Sequence, residues 1–325
     1  MLFDRVYRLQ VGQGNNGVEI TDLRITFDIV KTAKKNPNSN KIQIWNMQKS
    51  SRELCEKPDT RCILYAGYAE QDGPILIFNG NVTVAWSRYD LPDIVTEFEL
   101  ADGGQEIRDT AISVGYDKKI KSSQVLTDVS KKMGLPLNMP SNLIDFVWEN
   151  GLSFFGPART LMDKVTKAAG QEWSIQNGNV QVIEKRMVTT RQGIVISADS
   201  GLVGSPERER RQSDGNAKPK KKTAKAKSDP LKEFDGWRFK TLLMPQVNPG
   251  DRVEMDTRDV KGIFRCEQIQ HRGDTHDGDW ESEFKVIDPA KPLSGQTSTK
   301  GGRARRGEEH KTGYNDEDEF DDDRF

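Results

Sequence analysis

Four side chains near residue 275 could be drawn as a metal site. His271, Asp274, His276 and Asp279 lie close together in the chain, and imidazole and carboxylate groups both bind zinc. The two histidines are five positions apart on a predicted strand end and hairpin, so they would not share one face. A tetrahedral site needs convergent ligands, and the glycines and aspartates here favour a turn. We therefore expect no metal at these residues.

A glycine-rich stretch, GQGNNG at 12–17, superficially suggests a phosphate-binding loop. Such a loop must open a helix whose N-terminus meets the anion. The residues after Gly17 have the pattern of a strand instead. We therefore predict a hairpin turn here and no nucleotide site.

An enzyme would need a convergent set of catalytic side chains. Aspartate and glutamate are abundant, at 50 residues, but no pair is marked as buried with a raised pKa. Only three histidines are present, and no Gly-x-Ser-x-Gly nucleophile motif occurs. The sequence assigns no catalytic, cofactor-binding or metal-ligating residue. It predicts that the protein is not an enzyme.

The charge of the chain is balanced overall but uneven locally. Lysine and arginine number 49 against the 50 acidic residues, which argues against wholesale binding to nucleic acid or to a membrane surface. Residues 207–232 are lysine-rich, with no large apolar side chain before Leu231 and no aromatic residue for base stacking. This composition predicts a flexible basic loop, and binding of nucleic acid by the loop stays open as an alternative.

The chain has no run of apolar residues long enough to span a membrane and no recognisable signal peptide. Its cysteines, Cys55, Cys62 and Cys266, are odd in number and lack Cys-x-x-Cys spacing, which favours reduced thiols in a cytoplasm-like compartment.

Residues 1–104 show the alternation of half-buried strands, most clearly around Ile25 and Phe27. Only 48–56 has a helical pattern there. Strands are predicted at 3–11, 41–47, 61–68, 75–88 and 94–100. Many short strands imply a closed or nearly closed antiparallel barrel, because an open sheet would leave long unpaired edges.

Residues 105–185 change to a mixed pattern. One amphipathic helix is predicted from Ser122 to Gly134, and a second from Pro157 to Gly170. An Asn177-Gly178 pair between two alternating runs then predicts a hairpin with a type I′ turn. This region is predicted to be a small α/β insert.

Strands resume in 186–288, which we predict to be a second β-barrel interrupted by the loop at 207–232. Its later strands are predicted at 236–243, 251–256, 260–272 and 280–287. Residues 289–325 form a charged C-terminal tail that ends in NDEDEFDDDRF and has no core of its own. The predicted fold class is mixed and mainly β, with two antiparallel barrels and an α/β insert between them.

The order of these segments resembles the phage baseplate hub proteins. Near the start, NPNSNKIQIWNMQKSSRE (36–53) and ILYAGYAEQDGPILIFNGNV (63–82) match the family's first barrel. Near the end, GLVGSPER (201–208), 236–255 and 264–286 are similar to its closing barrel. The residues that carry the first match are Pro37, Asn38, Asn46, Met47, Ala66, Gly67, Tyr68, Phe78 and Gly80. The basic loop and the acidic tail depart from the family pattern.

The resemblance implies a structural subunit of a contractile phage or phage-like tail. The two barrels would be tail-tube-like, and a homotrimer would join the hexameric tail tube to the trimeric spike. Other baseplate proteins would be partners, and DNA or the tape-measure protein would pass through the lumen. The implied location is the virion tail baseplate, assembled in the host cytoplasm. The alternatives are a peptidoglycan-processing tail enzyme and a nucleic-acid-binding module that uses the lysine-rich loop.

Overall fold

The computed structural model describes residues 4–14, 16–33, 40–57, 59–71, 73–103, 109–211 and 234–290. They belong to the unit Met1–Lys291, and the second unit, Pro292–Phe325, lies outside the described residues. Residues 212–232 of the predicted basic loop and almost all of the predicted tail also lie outside them.

Among its described residues, the first β region contains seven strands and one short helix, as the alternating pattern predicts. Leu9, Phe27 and Ile42 face inwards and are buried, while their chain neighbours are more exposed. The elements are β1 (Arg5–Gln13), β2 (Asn16–Ile20), β3 (Ile25–Thr32), β4 (Asn40–Trp45), α1 (Lys49–Cys55), β5 (Arg61–Tyr68), β6 (Gly73–Asp90) and β7 (Asp93–Ala101). The Gly-rich stretch connects β1 to β2 as a hairpin, as predicted.

The insert contains both predicted helices and the predicted hairpin. Its elements are β8 (Ala111–Tyr116), β9 (Ile120–Lys121), α2 (Ser122–Met133), β10 (Leu137–Asn138), β11 (Val147–Trp148), β12 (Leu152–Pro157), α3 (Ala158–Ala168), β13 (Gln171–Gln176) and β14 (Asn179–Glu184). Gly134 and Gly170 follow the two helices with φ of 72° and 68°. Asn177 and Gly178 also have positive φ, as a type I′ turn requires.

The second β region corrects one predicted boundary. Its strands are β15 (Ile194–Ile196), β16 (Leu202–Arg211), β17 (Phe234–Leu242), β18 (Arg252–Asp256), β19 (Lys261–Asp274) and β20 (Trp280–Ile287). Residues 207–211, predicted to begin the flexible loop, are part of β16 and pair with β17. Residues 207–211 are all charged, but their backbone pairs with β17 and their side chains form cross-strand ion pairs, so low hydrophobicity did not indicate a loop.

One large sheet contains strands of both β regions. Its order is β16-β17-β20-β19-β3-β4-β7-β6-β5-β1-β2, with β15 and β18 attached beside β19. The two regions meet where Gln268–Asp274 of β19 pair antiparallel with Thr32–Thr26 of β3. The fold is thus mainly β and, with a few parallel pairs, largely antiparallel, as predicted. Among the described strands, however, the pairing follows one open path, which does not return on itself as a closed barrel would.

The strand order repeats within this sheet. We call β3-β4-β7-β6 the N-block and β16-β17-β20-β19 the C-block. Each block begins with the two strands that come first in the chain, β3-β4 or β16-β17. The two strands that come later in the chain follow in reverse order, as β7-β6 or β20-β19. The last strand of each block carries a bulge, between Val82 and Val84 in β6 and between Cys266 and Gln268 in β19. Beyond the bulge, β6 turns to pair with β5, and β19 turns to pair with β18.

Three hydrophobic cores support this arrangement. The N-block packs on the first, which includes Leu64 and Phe98, and the C-block packs on another, which includes Phe239 and Phe284. The helices and the β13–β14 hairpin enclose the insert's own core around Leu126. The two blocks thus have separate cores but belong to one continuous sheet, so their outer faces form one surface.

Candidate assembly face

The outer face of the two blocks is polar, whereas the inner face covers the cores. Side chains directly opposite one another on paired strands point to the same face, so the strand register identifies the outer row. We name this surface the polar face. It includes Glu207, Arg238, Lys240, Glu281, Glu283, Gln270, Arg272, Asp28, Lys41, Gln43 and Glu97.

Opposite charges on the polar face pair from strand to strand. Arg238 contacts Glu207 at 2.6 Å and Glu283 at 3.9 Å, and Arg272 contacts Glu283 at 3.5 Å. On the N-block, Lys41 contacts Glu97 at 2.5 Å. These partly exposed pairs each contribute little to stability. Their main effect is to neutralise the charge of the face locally.

A shallow depression of about 420 Å³ lies where the two blocks meet. Its lining includes Asp28 and Lys41 from the N-block and Arg272 and Asp274 from the C-block. Asp274 is tied to Arg24 by a 2.8 Å ion pair. Burial is the largest single effect and raises the pKa of Asp274, but the hydrogen bond and charge of Arg24, together with the backbone N–H groups of His276 and Asp277, lower the pKa below its usual value. The four charged side chains named here thus have partners among neighbouring residues.

The far end of the N-block differs from the rest of the face because it is exposed and partly apolar. Strand β5 pairs with β6 only as far as Asn81, so residues 82–90 have β7 as their one strand partner among the described residues. Val84 is 48 % exposed, and at the hairpin tip Tyr89 is 74 % and Leu91 88 % exposed. Unpaired strand backbone beside apolar side chains is a ready template for pairing with another chain.

A buried polar junction fixes the insert against the sheet. Asp102, just after β7, accepts hydrogen bonds from the backbone N–H groups of Asn177 (3.0 Å) and Gly178 (3.3 Å) in the β13–β14 turn. Lys31, at the end of β3, donates to Asn248 at 3.0 Å, and Asn177 donates to the same amide oxygen at 3.3 Å. These contacts join the insert to both β regions.

Burial dominates the electrostatics of this junction. It lowers the pKa of Lys31 to about 8, and it raises the pKa of Asp102 to about 7 against the opposing effect of Lys31. Sequence analysis missed this junction. Its one local signal is the Asn-Gly turn, which predicts a hairpin but cannot identify what the turn contacts.

The candidate metal residues are held in different surroundings. His271 is fully buried and its Nδ1 lies 2.8 Å from the Ser282 hydroxyl, whereas His276 is exposed in the β19–β20 turn. Burial lowers the pKa of His271 well below its usual value. In the described part of the chain, no three histidine, cysteine or acidic side chains group as metal ligands would.

The three cysteines lie inside the fold. All three cysteines are buried and free, and burial raises the pKa of each thiol. None of the helices described by the structure combines the length and the hydrophobicity needed to cross a membrane.

Comparison with solved structures identifies similar folds. The 43 kDa tail protein of prophage MuSo2 from Shewanella oneidensis is 11 % identical with a TM-score of 0.60, and the match covers 87 % of this chain and 97 % of that one. The tail protein from Neisseria meningitidis MC58 is 11 % identical with a TM-score of 0.56, covering 86 % and 96 %.

A third similar structure is the E. coli c3393 protein, described as a component of the type VI secretion system with structural similarity to the T4 bacteriophage tail proteins gp27 and gp5. It is 10 % identical with a TM-score of 0.52, and the match covers 86 % of this chain and 76 % of that one. No protein-family model and no curated protein sequence matches this chain. The resemblance to baseplate hub proteins is thus confirmed at the level of the fold, and this chain has the fold of phage tail proteins.

Proposed function

We propose that the protein is a structural subunit of the baseplate hub of a contractile phage or phage-like tail, where it joins the hexameric tail tube to the trimeric spike. The observation that carries this proposal is the repeated strand order of the N-block and the C-block. A chain with two similar units can match two symmetries, because three copies present six similar units to the tube and a three-fold face to the spike.

Two tail-tube-like barrels are part of this proposal. Each block packs on its own core, and its bulged last strand bends round to a further hairpin partner, β5 or β18. Bulges bend strands and increase local twist, which are the deformations that curl a sheet towards closure. The proposed barrels are 1–104 and 186–288, and they share the β19–β3 pairing instead of standing apart.

The polar face would line the passage through the hub. Its acidic and basic side chains neutralise one another across the strands, so it would attract a polyanion weakly. Such a wall suits the transit of DNA or the tape-measure protein. The proposed role is mechanical and non-enzymatic, in the virion tail baseplate.

Imaging of the purified full-length protein, with native mass measurement, tests this function. We expect particles of three subunits that form a ring with a central hole. Persistent monomers, or a compact oligomer without a hole, would contradict the hub. Muralytic activity on a cell-wall gel would favour the tail-enzyme alternative. A DNA mobility shift that disappears when 209–229 are deleted would favour the nucleic-acid-binding alternative.

A further inference from the structure

We propose that strand β6 of one copy pairs with strand β16 of a second copy, antiparallel and with Arg88 opposite Glu207. The seam would join residues 84–88 to residues 211–207, and repetition of this head-to-tail contact would close the ring. The inference rests on the proposed hub function, and it names the two edges and their register.

Both strands have a free edge at the ends of the polar face. Beyond Asn81, β6 pairs with β7 alone, and β16 pairs with β17 alone among the strands that the structure describes. Each edge therefore presents unpaired backbone N–H and C=O groups. Because the two edges are different, pairing them is heterologous, and it generates a ring when the rotation closes.

The β19–β3 pairing within one copy, which we call the internal seam, is the template for this contact. In the sheet order, β19 is the last strand of the C-block and pairs with β3, the first strand of the N-block. The last strand of the N-block is β6, and the first strand of the C-block is β16. Strand direction alternates along the two blocks, so a second copy continuing the sheet would place its β16 antiparallel to β6.

The bulges align the last strands of the two blocks. Val84 follows the bulge of β6 and lies opposite Glu99, just as Gln268 follows the bulge of β19 and lies opposite Lys285. Arg88 lies four residues after Val84, and Arg272 lies four residues after Gln268. Arg88 is therefore the N-block residue that corresponds to Arg272 in the C-block.

The first strands align through the same ladder. Asp28 lies opposite Lys41, which lies opposite Glu99. Glu207 lies opposite Arg238, which lies opposite Lys285. Glu207 therefore occupies the place of Asp28. Since Arg272 is paired with Asp28 in the internal seam, the repeat places Arg88 opposite Glu207 between copies.

The charges agree with a register that was obtained from the backbone pairing. Arg88 is exposed and has no ion-pair partner in the part of the chain that the structure describes. The side chain of Glu207 is 66 % exposed, and Arg238 is its one ion-pair partner among the residues that the structure describes. Opposite charges on directly facing strand positions stabilise a pair.

Disulfide trapping in the full-length protein tests the seam. We expect Arg88→Cys with Glu207→Cys, under mild oxidation, to yield a covalently linked trimer on a non-reducing gel, because facing positions on paired strands suit a disulfide. The native cysteines are buried and do not compete. The matched control, Arg88→Cys with Arg211→Cys, separates the thiols by four residues, about 13 Å along the strand, and should not link.

The other outcomes contradict the inference, and they show whether the seam alone or also the trimeric hub is wrong. A native trimer in which the 88–207 pair does not link, or links no better than the 88–211 pair, disproves the seam and leaves the hub standing. A linked dimer from Arg88→Cys alone shows a two-fold contact and disproves the head-to-tail ring. A full-length protein that stays monomeric at every protein concentration measured overturns both the seam and the trimeric hub.

Discussion

The substitution Asp102→Ala should loosen the insert from the sheet. Asp102 is 5 % exposed, and its carboxylate accepts the backbone N–H groups of Asn177 and Gly178. Alanine leaves both donors of the turn without this acceptor. The carboxylate also interacts electrostatically with buried Lys31, which lowers the pKa of Asp102.

The expected loss of unfolding free energy is about 2–6 kcal/mol, because each of the two buried donors left without a partner costs about 1–3 kcal/mol. Asp102→Asn should cost less, since its amide oxygen still accepts one of the two N–H groups. Asp259→Ala is the control for an exposed aspartate, and we expect it to stay within about 0.5 kcal/mol of wild type.

Urea unfolding at pH 8 measures these differences. At this pH the carboxyl of Asp102 is largely ionised, because pH 8 is above its raised pKa of about 7. Tryptophan fluorescence, to which the buried Trp173 of the insert contributes, and circular dichroism both follow the transition, and a variant with Trp173 as its one tryptophan would report on the insert alone. If Asp102→Ala lies within about 0.5 kcal/mol of wild type, as the control should, then the junction does not hold the insert and the reasoning fails.

Three further predictions concern other parts of the chain. Gly170→Val should lower stability by about 1–2 kcal/mol through strain at φ 68°, since the added side chain meets no neighbour; an unchanged melting temperature would contradict this. His271 stays neutral in the fold while the unfolded chain gains a proton below pH 6.5. Stability should therefore fall by up to about 1.4 kcal/mol per unit as pH drops below 6.5, and His271→Gln should lack this component in pH-dependent urea unfolding. Truncation after Pro289 should leave a folded trimer but weaken a salt-sensitive contact with baseplate partners; equal sedimentation binding by both forms at low and high salt would disprove this.

The sequence determined most local structure of this protein. Alternation of apolar and polar residues fixed the strands, because a sheet with one buried face needs a period of two. Gly134 and Gly170 predicted the helix ends, and Asn177-Gly178 predicted its hairpin, because these positions need positive φ. The beginning of the basic loop was misjudged, since composition alone cannot show that residues 207–211 have a partner strand.

Only the tertiary structure decided how distant strands meet. The β19–β3 pairing joins residues more than two hundred positions apart, and no local pattern specifies such a partner. The same is true of Asp102, whose burial and pKa follow from a turn contributed by another region. The free edges of β6 and β16 also follow from the pairing of the whole sheet. Local sequence sets which backbone groups can pair, whereas the packing of the cores decides which pairs form.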